Sequence, residues 1–311
     1  MCRYLPGEYS SAGHGSGVAA THEPDGPFCL RPRVHWEEMR KAAEDMETSR
    51  AGMGQLSADD ANKVGHVVQL MRASRSMLFI TGAGLSADSG LPTYRGVGGL
   101  YDGRDTEEKL PIEVLLSGDC FRQRPDLTWK YLLQIERASR GAQPNRGHAV
   151  IAEAESRFER VWVLTQNVDN LHRQAGSRNV IDIHGDLRHL RCVRCPFEES
   201  VEDYAHLSSL PRCPDCNGIV RPDVVLFGET LPARQLAVYD VETKRGFDLV
   251  FSVGTTSVFP YIAAPLMDAY HFRRPTVEVN LGETDLTEFV TVKLQLGAAA
   301  ALDAIWRAYT G

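Results

Sequence analysis

Long apolar segments and a secretion leader are both missing from this sequence. A helix that crosses a membrane needs roughly 20 consecutive apolar residues, whereas the longest apolar runs here are short stretches such as residues 161–164 and 249–253. The first residues, MCRYLPGEYSSAGHG, lack the basic start and apolar centre of a signal peptide. We therefore expect a protein without membrane-spanning helices, located in the cytoplasm.

An excess of positive charge is missing as well. The chain has 34 Lys and Arg against 41 Asp and Glu, a net charge of −7, so its composition predicts no specific nucleic-acid partner. Sequence repeats and low-complexity tracts are also absent. With 311 residues, 43% hydrophobic and 24% charged, the chain is long enough to bury a core without disulfides, as one large α/β domain or as two domains.

Cysteine is scarce and unevenly placed. Seven occur, and four of them form two C-x-x-C pairs, Cys192 with Cys195 and Cys213 with Cys216, with 17 residues between the pairs. A secreted disulfide framework would spread its cysteines through a shorter chain. Two such pairs supply four thiolates for a tetrahedral metal site with no position open to water. The spacing predicts one structural zinc per chain; an iron–sulfur cluster and a redox dithiol are the alternatives.

The order of apolar segments predicts an α/β fold. From residue 77 onward, short apolar runs alternate with helix-length segments, which is typical of a Rossmann-like, doubly wound parallel sheet covered on both faces. The expected strands are residues 77–81, 161–165, 180–183, 223–227, 249–253 and 276–280. The expected helices are residues 127–139, 147–158, 235–245, 261–271 and 299–309.

Four regions are expected along the chain. Residues 1–30, rich in Gly, Ser, Pro and His, predict a flexible arm, and residues 31–75 predict two N-terminal helices. Residues 76–185 and 222–311 are assigned to the Rossmann-like catalytic domain. The alternation of strands and helices stops where the cysteine pairs lie, so residues 186–221 are predicted to be a zinc-ribbon insert.

A glycine-rich turn follows the first expected strand. Gly82-Ala83-Gly84-Leu-Ser86-Ala87 has the spacing G-x-G-x-x-A between a strand and a short helix. The first glycine permits a tight turn, and the second removes a Cβ that would keep backbone N–H groups from a pyrophosphate. The turn therefore predicts a dinucleotide site, although alone it is equally compatible with an ordinary strand-ending turn.

The segment that continues this turn is more specific. Residues 86–96 read SADSGLPTYRG and resemble the GAG-S-x-x-SGIP-[DT]-F-R-G loop of the sirtuin family, which holds NAD. The resemblance implies that Arg95 meets a phosphate and that Tyr94 covers the nicotinamide ribose. Tyr94 and the Thr before it stand where many members have Phe and Asp.

A second polar segment follows the strand expected to end at residue 165. Residues 165–172, TQNVDNLH, resemble the family's TQN-[IV]-D-x-LH segment. At the carboxyl end of a strand, carboxamides can bind ribose hydroxyls or another carboxamide. The resemblance implies that Gln166, Asn167 and Val168 contact NAD, that Asn167 also positions the reacting ribose, and that Asp169 recognises the nicotinamide amide.

His184 is the candidate base. It follows the strand expected at residues 180–183 and matches the family's His-Gly pair. Imidazole has a reference pKa of about 6.5, so it can take a proton from a sugar hydroxyl without a metal. Ten histidines are present, and His148, His172 and His189 are rivals on composition alone. The position at a strand end, within a matching segment, favours His184.

Three further segments carry weaker matches. Residues 220–229 resemble the family's IRPDVVWFGE strand, which binds the substrate peptide, and this implies that Val225 and Phe227 line the acyl-lysine tunnel. Residues 254–260 resemble the GTS-x-x-V-x-P loop but are one residue shorter. The remaining NAD contacts that the resemblance implies are Gly254, Thr255, Thr256, Ser257, Asn280 and Ala299.

One missing pair of residues bears on the acyl group. Family members that prefer succinyl or malonyl groups meet the acyl carboxylate with a Tyr-x-x-Arg pair, and counting back from His148 places Leu132 and Ile135 at those positions. An apolar pair would leave a buried carboxylate unpaired, which costs several kcal/mol. Acetyl or longer aliphatic acyl groups are therefore expected.

Together these matches imply an NAD-dependent protein-lysine deacylase that acts on an acylated protein or peptide. The resemblance implies that NAD is consumed: the acyl oxygen attacks C1′ of the nicotinamide ribose, nicotinamide leaves, and His184 then deprotonates a ribose hydroxyl, so that lysine and O-acyl-ADP-ribose are released. Two other classes stay open. One is an ADP-ribosyltransferase or NAD glycohydrolase that uses the same pocket, and the other is a non-enzymatic zinc-ribbon module that binds NAD or ADP-ribose.

Overall fold

Two sheets are formed by nine strands in this computed structural model, which describes residues 56–92 and 106–311. In chain order the strands are β1 (Ser76–Thr81), β2 (Arg160–Thr165), β3 (Val180–Asp182), β4 (Gly185–Cys192), β5 (Glu198–Ser200), β6 (Val220–Val224), β7 (Leu249–Val253), β8 (Thr276–Val279) and β9 (Val292–Leu294). Six of them make a parallel sheet in the order β3-β2-β1-β7-β8-β9, and three make an antiparallel sheet in the order β5-β4-β6. The large sheet confirms the predicted doubly wound fold.

The central strands of the large sheet are buried along their whole length. Every residue of β1 and β7 is buried. Alternate side chains enter opposite faces, so that Met77 and Phe79 belong to one apolar cluster and Leu78 and Ile80 to another. Continuous apolar runs of this kind are typical of parallel sheets covered on both faces, and they account for the agreement between the predicted and observed strands here.

Ten α-helices accompany the strands in the described part of the chain. They are α1 (Ala58–Arg72), α2 (Ala83–Ala87), α3 (Ile112–Leu115), α4 (Gly118–Gln123), α5 (Pro125–Ser139), α6 (Arg146–Ala154), α7 (Leu171–Gln174), α8 (Ala233–Arg245), α9 (Pro260–His271) and α10 (Ala298–Thr310). Helices α1, α6 and α10 cover one face of the large sheet, and α8 and α9 cover the other. None of the helices in the described residues is long and apolar enough to cross a membrane.

The strand order of the large sheet reverses beside β1. This strand pairs in parallel with β2 on one side and with β7 on the other, and the registers end at Thr81 opposite Thr165 and Val253. Open α/β sheets bind ligands outside the carboxyl ends of their strands at such a reversal. A ligand-binding site is therefore expected among the residues that follow these three strand ends.

The small sheet differs from the sequence prediction. A strand was expected in the large sheet at residues 223–227, but the observed strand β6 ends at Val224 and pairs with β4 in the antiparallel sheet. The physical reason is that Val224 and Leu226 pack against α3, α4 and α5 rather than against the large sheet. The insert was expected at residues 186–221, but β4 begins before it, at Gly185, and β6 ends after it, at Val224. Strands β4, β5 and β9 were not predicted.

The N-terminal predictions fall largely outside the described residues. The arm at residues 1–30 and the first of the two helices in residues 31–75 lie there. The second helix is α1, and its Val64, Val67 and Met71 pack into the apolar cluster beside the large sheet. This helix is therefore part of the main core.

Candidate active site

The loops after β1, β2 and β7 meet at the reversal of strand order. The Gly84 N–H donates to the Gly254 carbonyl oxygen at 2.8 Å, and the Gln166 N–H donates to the Thr81 carbonyl oxygen at 3.1 Å. From the loop after β2, Val168 packs against the apolar cluster of the small sheet. The three segments predicted to bind NAD therefore lie side by side.

The glycines in these loops are required by close packing between them. A Cβ at Gly82 would lie 2.7 Å from the Cβ of Thr255, and one at Gly84 would lie 2.7 Å from the Cα of Gly254. Gly254 itself has φ of +58°, a left-handed conformation that strains a residue with a side chain. The sequence interpretation attributed Gly82 to a tight turn and Gly84 to space for a pyrophosphate. The atoms that these glycines accommodate in the structure belong to the neighbouring loop.

The glycine turn leads directly into α2. This helix begins at Ala83 and ends at Ala87, and its Ser86 is only 2% exposed. Tyr94 and Arg95, which complete the predicted loop, lie outside the described residues.

Ser86 joins the glycine turn to Asn167 and Asp169. Its hydroxyl donates to Asp169 Oδ2 at 2.7 Å and accepts from Asn167 Nδ2 at 3.0 Å. Asn167 Nδ2 also donates to the Gly82 carbonyl oxygen at 3.0 Å. Burial raises the pKa of Asp169, and the hydrogen bonds from Ser86 and from the Leu171 N–H act against that rise. Four of the predicted NAD contacts, Gly82, Ser86, Asn167 and Asp169, are thus connected by direct hydrogen bonds.

Thr255 links the loop after β7 to the residues that follow β2 and β8. Its hydroxyl accepts from Gln166 Nε2 at 2.7 Å and from the Ser257 N–H at 3.0 Å. Its carbonyl oxygen accepts from Asn280 Nδ2 at 3.0 Å. Thr256 is exposed. In this structure the amide groups of Gln166 and Asn280 therefore hold the loop together.

His184 lies between β3 and β4, beside these loops. Its Nδ1 lies 3.2 Å from the Gln166 carbonyl oxygen, and its Nε2 lies 2.7 Å from the Tyr261 hydroxyl. The imidazole also contacts the ring of Phe259 edge-on, with 5.7 Å between centroids. Burial lowers the pKa of His184, and the hydrogen bond to Gln166 opposes this effect. The imidazole is therefore neutral at neutral pH, which is the form that can accept a proton.

The rival histidines have different surroundings. His148 and His172 are buried against each other, with 4.9 Å between ring centroids. His189 lies on β4, where its ring nitrogens approach Ser200 and Glu198 in an exposed setting. Of the four histidines, only His184 stands next to the three loops and remains partly open to solvent.

Three residues of the site were not predicted from the sequence. Asn145, at the start of α6, donates from Nδ2 to a backbone carbonyl of α2 at 2.7 Å. Asp88 accepts from the Ala299 N–H at 2.8 Å and so ties the end of α2 to the first turn of α10. The third is Tyr261, the partner of His184. No local pattern could reveal that contact, since the two residues are 77 positions apart.

The segment expected to bind the acyl-lysine peptide runs beside His184. The Val225 N–H donates to the His184 carbonyl oxygen at 2.9 Å. Val225 is half-buried, whereas Phe227 is 39% exposed. Leu132 and Ile135 are both buried in the apolar cluster of the small sheet, so these two positions are apolar in their surroundings as well as in their side chains.

The four paired cysteines converge at one end of the small sheet. Their Sγ atoms all lie within 4.8 Å of one another, with 3.5 Å between Cys192 and Cys216 and 3.5 Å between Cys195 and Cys213. Four thiolates about 2.3 Å from a zinc ion form a tetrahedron with edges of roughly 3.8 Å. Backbone N–H groups two positions after Cys192 and Cys216 donate to their sulfur atoms, which stabilises thiolates. The donor set fits a closed structural zinc site.

These features define an α/β protein with a candidate ligand site at the strand reversal of a parallel sheet, a neutral imidazole beside it and a four-cysteine cluster in the small sheet. Comparison with known proteins gives the family. Residues 82–260 match the model of the Sir2 family, and the chain belongs to this family, the sirtuins.

Relatives and solved structures agree with this assignment. The chain is 49% identical over 239 residues to "NAD-dependent protein deacylase 2" of Pseudomonas aeruginosa, which covers 76% of this chain and 93% of the relative. It is 46% identical over 232 residues to the protein of the same name from Pseudomonas syringae pv. tomato, with 74% and 93% covered. A crystal structure of a Sir2 homolog–NAD complex has 34% identity and a TM-score of 0.71, over 79% of this chain and 93% of that one. The resemblance on which the sequence interpretation rested is confirmed.

Proposed function

We propose that this chain is an NAD-dependent protein-lysine deacylase in which His184 is the general base. The observation that carries the proposal is the position of a neutral imidazole between two kinds of binding segment. On one side are the interlocked loops after β1, β2 and β7, and on the other is the Val225 segment, bonded to the His184 carbonyl oxygen at 2.9 Å. NAD and an acyl-lysine bound to these segments would meet beside one base. The relatives' names support the same activity.

The polar network around Ser86 forms the part of the site for the nicotinamide ribose. NAD, when bound, supplies a ribose whose C1′ can lose nicotinamide. Asn167, held by the Gly82 carbonyl oxygen and by Ser86 at 3.0 Å each, orients that ribose. Asp169 is fixed by Ser86 at 2.7 Å and offers a carboxylate to the nicotinamide amide. His184 then takes the proton of a ribose hydroxyl through Nε2, which lets that hydroxyl receive the acyl group.

The remaining NAD contacts come from the neighbouring loops. Backbone and side-chain groups of the glycine turn and of the loop after β7 hold the phosphates and the adenosine half of the cofactor. The residues that fill this role in the proposal are Gly82, Ala83, Gly84, Ala87, Tyr94, Arg95, Gln166, Val168, Gly254, Thr255, Thr256, Ser257, Asn280 and Ala299.

The peptide binds along the segment that contains Val225 and Phe227. An extended peptide adds its backbone to an exposed segment, while the acyl-lysine enters beside His184. Leu132 and Ile135 are only 2% and 7% exposed and lie in an apolar cluster. They therefore offer no charge to an acidic acyl group. Acetyl and longer aliphatic groups are therefore the proposed substrates. A higher kcat/KM for succinyl-lysine than for acetyl-lysine would contradict this preference.

One zinc ion bound by Cys192, Cys195, Cys213 and Cys216 stabilises the small sheet in this proposal. Four thiolates with no open position favour a structural metal over a catalytic one. The metal would act on folding and would take no part in acyl transfer.

The test is a panel of acyl-lysine peptides incubated with NAD and read by mass spectrometry for peptide and nucleotide products. Deacylated peptide together with O-acyl-ADP-ribose is the expected result. His184→Ala is expected to lower the rate at least about 10²-fold while zinc content stays unchanged, and His189→Ala, on the surface of β4, serves as the matched control. Free ADP-ribose or ADP-ribosylated protein as the main product, or an active His184→Ala variant, would refute the proposal.

A further inference from the structure

The Tyr261 hydroxyl is hydrogen-bonded to Nε2 of His184, the nitrogen through which this imidazole would act as a base. A carbonyl oxygen can only accept a hydrogen bond, so the contact of 3.2 Å between Nδ1 and the Gln166 carbonyl oxygen puts the imidazole proton on Nδ1. In the neutral ring Nε2 then carries a lone pair and no proton. The Tyr261 hydroxyl, 2.7 Å away, must be the donor to Nε2.

This hydrogen bond leaves His184 without a free acceptor. Nδ1 carries the proton and Nε2 accepts from Tyr261, so a substrate hydroxyl cannot bond to the imidazole as it stands. The phenol oxygen of Tyr261, in contrast, keeps acceptor capacity while its proton points at Nε2. A hydroxyl that approaches this pair can therefore donate to the phenol oxygen while the hydrogen bond between Tyr261 and Nε2 stays in place.

Tyr261 is held in place from several sides. It stacks on Phe259 with 5.6 Å between centroids and an angle of 16°. Its carbonyl oxygen accepts from the Tyr239 hydroxyl at 2.8 Å, which anchors the first turn of α9 to α8. Burial raises the pKa of Tyr261 and lowers that of His184, so at neutral pH the phenol keeps its proton and the imidazole keeps its lone pair.

We propose that Tyr261 is a second catalytic residue, which relays the proton from the ribose hydroxyl to His184. The O–H bond of the ribose hydroxyl breaks as an O–H bond to the phenol oxygen forms, and the original O–H bond of Tyr261 breaks as the N–H bond at Nε2 forms. The ribose oxygen is left with the electron pair that attacks the acyl carbon, and His184 becomes an imidazolium. The inference rests on the proposed deacylation and adds a residue to it.

The experiment compares Tyr261→Phe with Tyr270→Phe, a change at an exposed tyrosine of the same helix, α9. Both remove one phenol hydroxyl and keep the ring, but only Tyr261 contacts the imidazole of His184. Two rates are measured in a single turnover, with the protein in excess over acetyl-lysine peptide and with NAD present: the release of nicotinamide, which precedes the base-dependent step, and the formation of O-acetyl-ADP-ribose. Tyr261→Phe is expected to lower the second rate at least about 10²-fold and to change the first by less than about threefold. Tyr270→Phe is expected to change neither by more than about threefold.

The outcomes separate this inference from the proposed function. If Tyr261→Phe forms O-acetyl-ADP-ribose as fast as the wild type or faster, the phenol only covers the base and substrate displaces it, which overturns the relay. If both rates fall together, Tyr261 is structural and the relay is likewise refuted. If wild-type protein forms no O-acetyl-ADP-ribose, or His184→Ala forms it at the wild-type rate, it is the proposed function that fails.

Discussion

The buried pair His148 and His172 should make the stability of this protein sensitive to mild acid. The two rings meet edge-on, and Thr81 Oγ1 lies 2.9 Å from His172 Nε2, while His148 Nδ1 accepts from the Asn145 N–H at 3.3 Å. Burial lowers the pKa of His148 to about 4. The pKa of His172 is lowered as well, mainly by burial and to a lesser extent by the charges of His148 and Arg173. Both side chains are therefore neutral in the folded protein at neutral pH.

The sign and size of the effect follow from the difference between folded and unfolded pKa values. An unfolded histidine titrates near pH 6.5, so in mild acid the unfolded chain binds protons that the folded chain does not. Stability is then lost as the pH falls from about 6.5 toward 4. At about pH 5.5 each histidine lowers the free energy of unfolding by about 1 kcal/mol relative to neutral pH, and the pair by about 2 kcal/mol.

Urea unfolding at about pH 7 and about pH 5.5 measures this loss. The double variant His148→Gln/His172→Gln has no titrating group at either position, and its free energy of unfolding should fall by about 2 kcal/mol less than that of the wild type over this range. His66→Gln, which removes an exposed histidine of α1, is the matched control and should keep the wild-type pH dependence. A double variant with the same pH dependence as the wild type would refute the reasoning.

Three further predictions concern the backbone, an ion pair and the metal. Gly185→Ala should lower the free energy of unfolding by at least about 3 kcal/mol and abolish deacylation. The reason is that Gly185 has φ of +86° and that a Cβ there would lie 2.8 Å from the carbonyl carbon of Asp223. A variant as stable as the wild type in urea would contradict this. Glu229→Gln should cost about 3 kcal/mol in the same assay, because Arg221, 3% exposed, contacts that carboxylate at 2.7 and 3.0 Å; an unchanged midpoint would show that the pair is not needed. Removal of zinc by a chelator, or Cys216→Ser, should lower the metal content to zero and the Tm with it, and a metal-free protein with the wild-type Tm would argue against a structural role.

The large sheet could be predicted because its strands are buried on both faces. The expected strand at residues 249–253 coincides with β7 (Leu249–Val253), and the other central strands differ by a residue or two. A strand covered on both faces has apolar side chains at most of its positions, which makes a run that is easy to recognise. The ends of these strands then located the segments around Gly82, Asn167 and Gly254.

The small sheet could not be predicted by the same argument. Strand β4 reads GDLRHLRC, with charged and apolar residues mixed, and its pairing with β6 is irregular between Asp186 and Leu190. A bulge of this kind breaks the alternation that identifies a half-buried strand. The apolar run at residues 224–227 caused the opposite error, because it predicted a strand where only Val224 belongs to one. Strand β6 stops at Val224 because the next N–H groups are directed to the His184 carbonyl oxygen and to Glu229 Oε2.

The interlocked loops explain why the motifs predicted candidate site residues but not the contacts between them. Each motif lies within one segment, so its residues can be recognised locally, yet the bonds that position them cross between segments. Gln166 reaches Thr255 at 2.7 Å over 89 positions, and His184 reaches Tyr261 at 2.7 Å over 77. The topology of the large sheet, in which β1 lies between β2 and β7, brings these segments together. The hydrogen bond at Nε2 of His184 therefore comes from a residue that no motif around His184 contains, so the contact with Tyr261 can be recognised only in the folded chain.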